Sequence, residues 1–395
     1  MTAGLNQTPS SERVHIGFFG VRNSGKSSLV NAITGQNLAV VSDVKGTTTD
    51  PVKKAMELLP LGPVLIIDTP GFDDDDKELG ALRIKKTSEI LSTCDVAILV
   101  KTAGQELNET ERTLIKLFGE RPYLIAQNKA DLLKNLPVAS ENEIYVSALT
   151  GLNIFELKEK LATLVKNKSD DRKIIADLLQ PQELAILVVP VDKAAPKGRL
   201  ILPQQQTIRE ILDNHCYALV CQNTELENIL KTITPKIVIT DSQVFKQVSE
   251  IVPENILLTS FSILFARYKG DLNLLIDGAN KLAELKNSDR VLISEGCTHH
   301  RQCGDIGTQK IPAMIKKFTN ATPEFYFTSG GEFPLNLSDY DLIIHCGGCM
   351  LNQQEMTSRL ARAKNSNIPI VNYGIAIAHM NGILKSSLKP FNIDL

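Results

Sequence analysis

Three cysteines and two histidines in the last third of this chain stand at metal-ligand spacing: Cys297 and His299 in one segment, His345, Cys346 and Cys349 in another. Thiolates are soft ligands that suit zinc or an iron-sulfur cluster, and imidazole is a common companion. Each group follows an apolar run, RVLISEG before Cys297 and YDLIIH before Cys346, so both sets are expected at strand ends. Ligands collect at the carboxyl ends of strands in open parallel sheets, where sequence-distant cysteines can converge. Gly296, Gly347 and Gly348 lack a Cβ and let the chain wrap closely around a bulky group. Spacing leaves two readings open. Cys297, Cys346 and Cys349 with His299 or His345 would close a tetrahedral zinc site, and the same thiolates would hold an iron-sulfur cluster. Cys303 reads as a bystander, His300 and His379 fall outside any recurring ligand spacing, and Cys94, Cys216 and Cys221 read as small buried hydrophobes.

A second chemistry stands at the other end. The run from Gly20 to Ser27, GVRNSGKS, fits G-x-x-x-x-G-K-S, between a strand (HIGFF) and a helix (SSLVNAITG). Backbone amides around Asn23, Ser24, Gly25 and Ser28 are expected to cradle phosphates, Lys26 to reach the β- and γ-phosphates, and the Ser27 hydroxyl to ligate magnesium. Thr48 in GTTTD is expected to complete magnesium coordination, with Asp68 of DTPG near the metal and the Gly71 amide at the γ-phosphate. Lys26, Thr48 and Gly71 are thus the residues expected to act on hydrolysis. In NKAD, Asp131 would accept from guanine N1–H and its 2-amino group, which adenine cannot satisfy, while Asn128 supports the base edge and Lys129 lies along the ring. Ser147 and Ala148 would present amides to guanine O6. Five motifs in order, each at a strand end, predict a GTP site with magnesium.

The elements that must position these residues alternate. From Val14 to about Lys166, strand-like runs (VHIGFFG, PVLIIDTP, CDVAILVK, PYLIAQNK, EIYVSA) interleave with amphipathic helices, the signature of a parallel α/β sheet. The polar run from Lys166 to Asp171 reads as a linker. AILVVPVD, YALVCQN, KIVITDS and NILLTSF then read as a second α/β unit, helical periodicity covers Ser262 to Leu285, and RVLISEG, PEFYFTSG, YDLIIHCG and IPIVNYG read as a third. The expected fold class is α/β: a P-loop GTPase domain over residues 1–168, then two smaller α/β domains with mainly parallel sheets, over 175–267 and 268–395.

With 395 residues, 43% apolar, 22% charged and a formal net charge of -2, the chain reads as multidomain and globular. It offers no overall attraction to nucleic acid or anionic membrane. The polar opening MTAGLNQTPSSER lacks the centre of a signal peptide and no apolar run approaches membrane-spanning length, so a cytoplasmic protein is expected.

The first third resembles the Era and TrmE branch of translation-factor-like GTPases, in which a hydrophobic residue, here Phe72, follows the DxxG motif where Ras-like proteins carry glutamine. That resemblance implies slow basal hydrolysis and, through Asn23, potassium binding. The acidic run from Asp73 to Asp76 reads as a solvated part of the following switch region. Cys297-x-His299 followed by His345-Cys346-x-x-Cys349 resembles the C-x-H and H-C-x-x-C pattern of the HydF family, maturation GTPases of iron-only hydrogenase, over the whole chain. It implies a 4Fe-4S cluster on Cys297, Cys346 and Cys349, with His299 or His345 as fourth ligand and Asp305 a further candidate. It implies a dimerisation domain over 175–267 and a cluster-binding domain over 268–395, in a homodimer that carries the di-iron subcluster precursor from radical-SAM maturases to apo-hydrogenase. No C-x-x-x-C-x-x-C triplet is present, which argues against the chain itself being a radical-SAM enzyme. The competing reading is an RNA- or ribosome-associated GTPase with structural zinc, though the C-terminal half shows neither a basic stripe nor an aromatic RNA-binding motif.

Overall fold

The computed structural model describes residues 8–35, 51–71, 77–166, 172–190, 200–296 and 305–393. The chain divides into two compact units, Met1–Asp170 and Asp171–Leu395.

In the first unit six strands form one sheet in the order β2-β3-β1-β4-β5-β6: β1 Val14–Phe19, β2 Val52–Leu58, β3 Gly62–Asp68, β4 Val96–Thr102, β5 Tyr123–Asn128 and β6 Glu143–Tyr145. All pairs are parallel except β2 with β3. β1, β3, β4 and β5 are almost wholly buried, as expected of strands covered on both faces, and Ile16, Phe18, Ile66, Ile98 and Ala126 pack with the helix Lys26–Thr34 through Leu29 and Ile33. β2 is a strand that hydrophobic pattern does not predict. Its VKKAMEL run has no apolar alternation, because it lies at the sheet edge with Lys53 and Lys54 exposed, and exposed lysines discourage pairing with another chain.

The second unit holds two four-stranded, wholly parallel sheets. One has the order β10-β9-β7-β8, from β7 Leu184–Val188, β8 Tyr217–Cys221, β9 Ile237–Thr240 and β10 Leu257–Ser260. The other runs β12-β11-β13-β14, from β11 Arg290–Glu295, β12 Glu324–Ser329, β13 Leu342–His345 and β14 Ile370–Asn372. The two sheets share one hydrophobic core, in which Ile186, Val238 and Ile263 belong with Leu275, Ile293 and Ile344. Residues expected as two domains therefore pack as one compact unit with two sheets. The continuous helix expected from Ser262 to Leu285 is broken: Phe261–Lys269 ends at Gly270, and Asp271 caps the next helix, Leu272–Glu284, by accepting from the Leu274 amide at 3.1 Å. No helix among the described residues is long and apolar enough to cross a membrane.

Candidate functional site: a phosphate cradle and a cysteine loop

The P-loop joins β1 to the helix Lys26–Thr34, and its geometry is set by Gly25. That residue takes a left-handed φ of 85°, and a Cβ there would lie 2.3 Å from Asn128 Nδ2, so no larger residue fits. No side chain caps this helix, which leaves its first backbone N–H groups directed at the place a phosphate would occupy. The helix Gln353–Asn365 contrasts with it, since the Asn352 side chain takes the Glu355 amide at 2.9 Å.

Lys26 is buried and donates to the Gly20 carbonyl at 3.4 Å. Ser27 Oγ donates to Asp68 Oδ2 at 2.9 Å, which joins the P-loop to the end of β3. The other carboxylate oxygen, Oδ1, is buried with no hydrogen-bond partner, as is Ser24 Oγ. Burial pushes the Asp68 carboxyl above its usual range, against the opposing pull of Ser27 and Lys26. A desolvated, half-satisfied carboxylate beside a hydroxyl is a donor set suited to magnesium, a hard cation that takes oxygen ligands. Gly71 lies against the same loop, its ideal Cβ position 3.1 Å from Arg22 Cα and 3.4 Å from Lys26 Nζ. Thr48, Phe72 and the run from Asp73 to Asp76 lie outside the described residues.

Asn128 ties the guanine-side loops to the P-loop. Its Nδ2 donates to the Ser24 and Gly25 carbonyls at 3.1 and 3.3 Å, and its Oδ1 accepts from the Ala148 amide at 3.1 Å. Lys129, at φ 62°, donates from Nζ to the Asn23 carbonyl at 2.8 Å. Ser147 Oγ accepts from the Thr150 amide at 3.1 Å and shapes the turn that carries Ala148. Asp131 is exposed in the short turn Ala130–Leu132, with its carboxylate at the surface. The expected phosphate, metal and base residues that are described therefore lie at one end of one sheet, after the carboxyl ends of β1, β3, β5 and β6.

The cysteine loop follows β13. The chain leaves β11 toward β12 on one side and returns to β13 on the other, so the gap between β11 and β13 is the switch point of this sheet, where ligands bind in open α/β folds. Ser294 pairs with His345 in the register, and the Cys346 amide donates to the Ser294 carbonyl at 2.9 Å. The Gly296 amide donates to Cys346 Sγ at 3.0 Å, and the Gly348 amide lies 3.4 Å from the same sulfur. Gly296 immediately precedes Cys297 in sequence, so the segment leading into the first cysteine touches the second. A Cβ on Gly296 would sit 2.7 Å from Leu351 Cγ, and glycine alone allows that approach. Cys297, His299, His300 and Cys303 lie outside the described residues, and among those described no group of three metal-binding side chains is assembled.

Cys346 and Cys349 are partly buried and in no disulfide. Burial, then the neighbouring Cys346, pushes the Cys349 thiol up, and Lys269 opposes the rise. Backbone N–H groups on a sulfur are contacts that favour iron-sulfur ligation and tune it, so this half of the site fits a cluster. His345 is fully buried with both ring nitrogens engaged: Nδ1 lies 2.7 Å from the Cys346 carbonyl and Nε2 lies 3.1 Å from Arg359 Nη1. Since an arginine only donates, Nε2 is the acceptor and Nδ1 carries the proton. In this arrangement His345 presents neither nitrogen to a metal, unlike the fourth-ligand role expected of it. Asp305 Oδ2 accepts from the Thr308 amide and hydroxyl, both at 2.8 Å, an ordinary turn cap.

Sequence reasoning missed three groups around this loop. Lys269 reaches it from a helix distant in sequence, Arg359 from the helix that follows the loop, and Tyr373 places its hydroxyl 3.3 Å from Glu295 Oε1 beside it. Burial, then Glu295 and Cys346, pushes the Tyr373 hydroxyl far up, so it is a neutral donor. No local pattern marks these residues. Cys94, Cys216 and Cys221 are buried, as expected.

Comparison with known proteins matches three successive segments of the chain. Residues 15–129 match the 50S ribosome-binding GTPase family. Among curated relatives, the tRNA modification GTPase MnmE of Clostridioides difficile is 30% identical over 153 residues, which is 37% of this chain and 33% of that protein. MnmE of Bordetella petrii is 32% identical over 154 residues, 39% of this chain and 34% of that protein. The chain thus spans about a third of the length of these relatives. Among solved structures, a probable GTP-binding protein engB is 23% identical with a TM-score of 0.31, covering 39% of this chain and 100% of its own. Era of Aquifex aeolicus is 18% identical with a TM-score of 0.33, covering 52% and 91%. Residues 174–270 match the hydrogen maturase F dimerization domain and residues 273–390 its tetramerization domain. These two matches together span more than half of the sequence, and with the GTPase match ahead of them they show that the chain belongs to the hydrogen maturase F family.

Proposed function

We propose that this protein is a GTP-hydrolysing scaffold and carrier in the maturation of iron-only hydrogenase. In this reading Cys297, Cys346 and Cys349 hold a 4Fe-4S cluster, and the di-iron precursor passes from radical-SAM maturases through a homodimer of this chain to apo-hydrogenase. The observation that carries the reading is the 3.0 Å contact from the Gly296 amide to Cys346 Sγ at the β11–β13 switch point. It brings the residue beside Cys297 to the C-x-x-C loop, as convergence of the three sulfurs requires. A cluster bound there by three thiolates supplies one iron open to an exchangeable ligand.

At the other site Ser27, Asp68 and the undescribed Thr48 would hold magnesium, which neutralises phosphate charge when bound. The uncapped helix Lys26–Thr34 and Lys26 orient the phosphates, Gly71 adds an amide at the γ-phosphate, and Asp131 selects guanine. Hydrolysis then acts as a switch on partner binding rather than on the organometallic chemistry.

Anaerobic reconstitution with ferrous iron and sulfide tests the proposal. Four irons and four sulfides per chain, with a reducible paramagnetic signal lost on Cys346→Ser, is the expected result. Colourless protein with stoichiometric zinc would overturn it in favour of an RNA-associated GTPase, the reading to which the likeness to MnmE points.

A further inference from the structure

Lys269 is the last residue of the helix Phe261–Lys269 and is only 3% exposed. Its Nζ donates to three carbonyls of the cysteine loop: Gly348 at 3.3 Å, Cys349 at 3.1 Å and Leu351 at 2.9 Å. An ammonium has three N–H donors and a neutral amine two, so three carbonyl partners select the charged form. Burying a cation is costly unless fixed dipoles or negative charge answer it. Pinning the loop by the N-terminal cap on Asn352 or by the Leu351–Gly348 turn needs no charge. Placing an ammonium under the backbone of Cys349 adds a positive potential where thiolates accumulate negative charge.

We propose that Lys269 is the positioning residue of the Cys346–Leu351 loop and that its buried charge raises the electron affinity of the iron-sulfur group held there. The inference rests on the cluster reading above. Three carbonyls fixed to one ammonium hold Cys346 and Cys349 in one geometry before metal arrives. A cluster on three thiolates is anionic and becomes more so on reduction, so a nearby buried cation favours the reduced form. Lys269 also lies one residue before the end of the segment matched as the dimerization domain, so a displacement of this helix would reach the ligand loop directly.

The test uses the full chain with Lys269→Met, which keeps the apolar stem, and Lys269→Gln, which keeps two donors without the charge. Folding of each is checked by circular dichroism. After anaerobic reconstitution, redox titration followed by paramagnetic resonance should show both variants harder to reduce. The expected change is on the order of tenfold in the reduced-to-oxidised ratio at fixed potential, about 59 mV for a one-electron couple, with Lys269→Arg recovering most of it. Wild-type iron content at an unchanged midpoint in both neutral variants would overturn the charge role. Hydrogen exchange of residues 346–351 in the metal-free proteins tests positioning separately. About tenfold faster exchange in Lys269→Met is expected, and equal rates would overturn it. Failure of the wild-type chain itself to take up iron would contradict the cluster reading, while the exchange result would still decide what Lys269 does to the loop.

Discussion

Arg359 donates from Nη1 to Nε2 of His345 at 3.1 Å, and both residues are enclosed, at 2% and 0% exposure. The same guanidinium donates to the Gly330 carbonyl at 2.9 Å and to Glu355 at 2.6 Å, and its plane lies over the Phe333 ring, 5.2 Å from the centroid. The histidine beside the cysteine loop is thus held by its neighbours as part of the wall. A cluster on this loop would take its fourth ligand from elsewhere.

Substituting the histidine should therefore leave metal binding largely intact. His345→Asn is expected to retain at least half of the wild-type iron after reconstitution, with an unaltered resonance spectrum. Arg359→Leu, which strands Glu355 without its partner, should lower stability by about 3 kcal/mol, read from denaturant unfolding. Complete loss of the cluster in His345→Asn with a native fold would show that the ring turns to the metal.

Nucleotide choice should follow Asp131. The carboxylate is exposed, and its two oxygens would accept from guanine N1–H and the 2-amino group. Asp131→Asn should weaken GTP binding roughly a hundredfold and improve xanthosine triphosphate, whose 2-oxo group accepts from the new amide. Titration with fluorescent analogues of the two nucleotides measures both effects.

Potassium should accelerate hydrolysis. Asn23 sits at φ 60° at the P-loop surface, with its carbonyl held by Lys129, and a cation near the phosphates can do the work of an arginine finger. Replacing sodium by potassium should raise kcat roughly tenfold or more, and Asn23→Ala should abolish the difference while GTP still binds. Equal rates in the two salts would remove Asn23 from this role.

Alkali should weaken the first unit through Cys94. Burial raises this thiol from 9.0 to about 12, so the unfolded chain loses its proton at lower pH than the folded one. The sign follows: the contribution to stability is complete below pH 9 and is lost as pH rises toward about 12. Denaturant midpoints across that window should fall with the slope of one proton, and Cys94→Ala should flatten the slope while costing about 1 kcal/mol for the lost packing.

The described part of the expected GTP site was legible in the sequence because its residues fall in contiguous motifs that follow strands, so order and spacing name them before their geometry is known. β2 was illegible for a physical reason: with Lys53 and Lys54 exposed on an edge strand, no apolar alternation survives to mark it. The break at Gly270–Asp271 hid inside a helical periodicity that continues on both sides. At the cysteine loop the candidate ligands Cys346 and Cys349 were visible and their supports were not. Lys269 and Arg359 act through tertiary contacts, and a lysine or arginine on a helix carries no local sign that it points inward to backbone carbonyls or an imidazole.

In the proposed function three sulfurs meet and hold iron with one coordination position open. Its most direct test is paramagnetic resonance of the reduced, reconstituted protein titrated with cyanide. A stoichiometric change in the g-values is expected, since an exogenous ligand enters the open position, with loss of the parent signal in each of Cys297→Ser, Cys346→Ser and Cys349→Ser. A spectrum indifferent to cyanide, or one that survives any of the three substitutions unchanged, would contradict it.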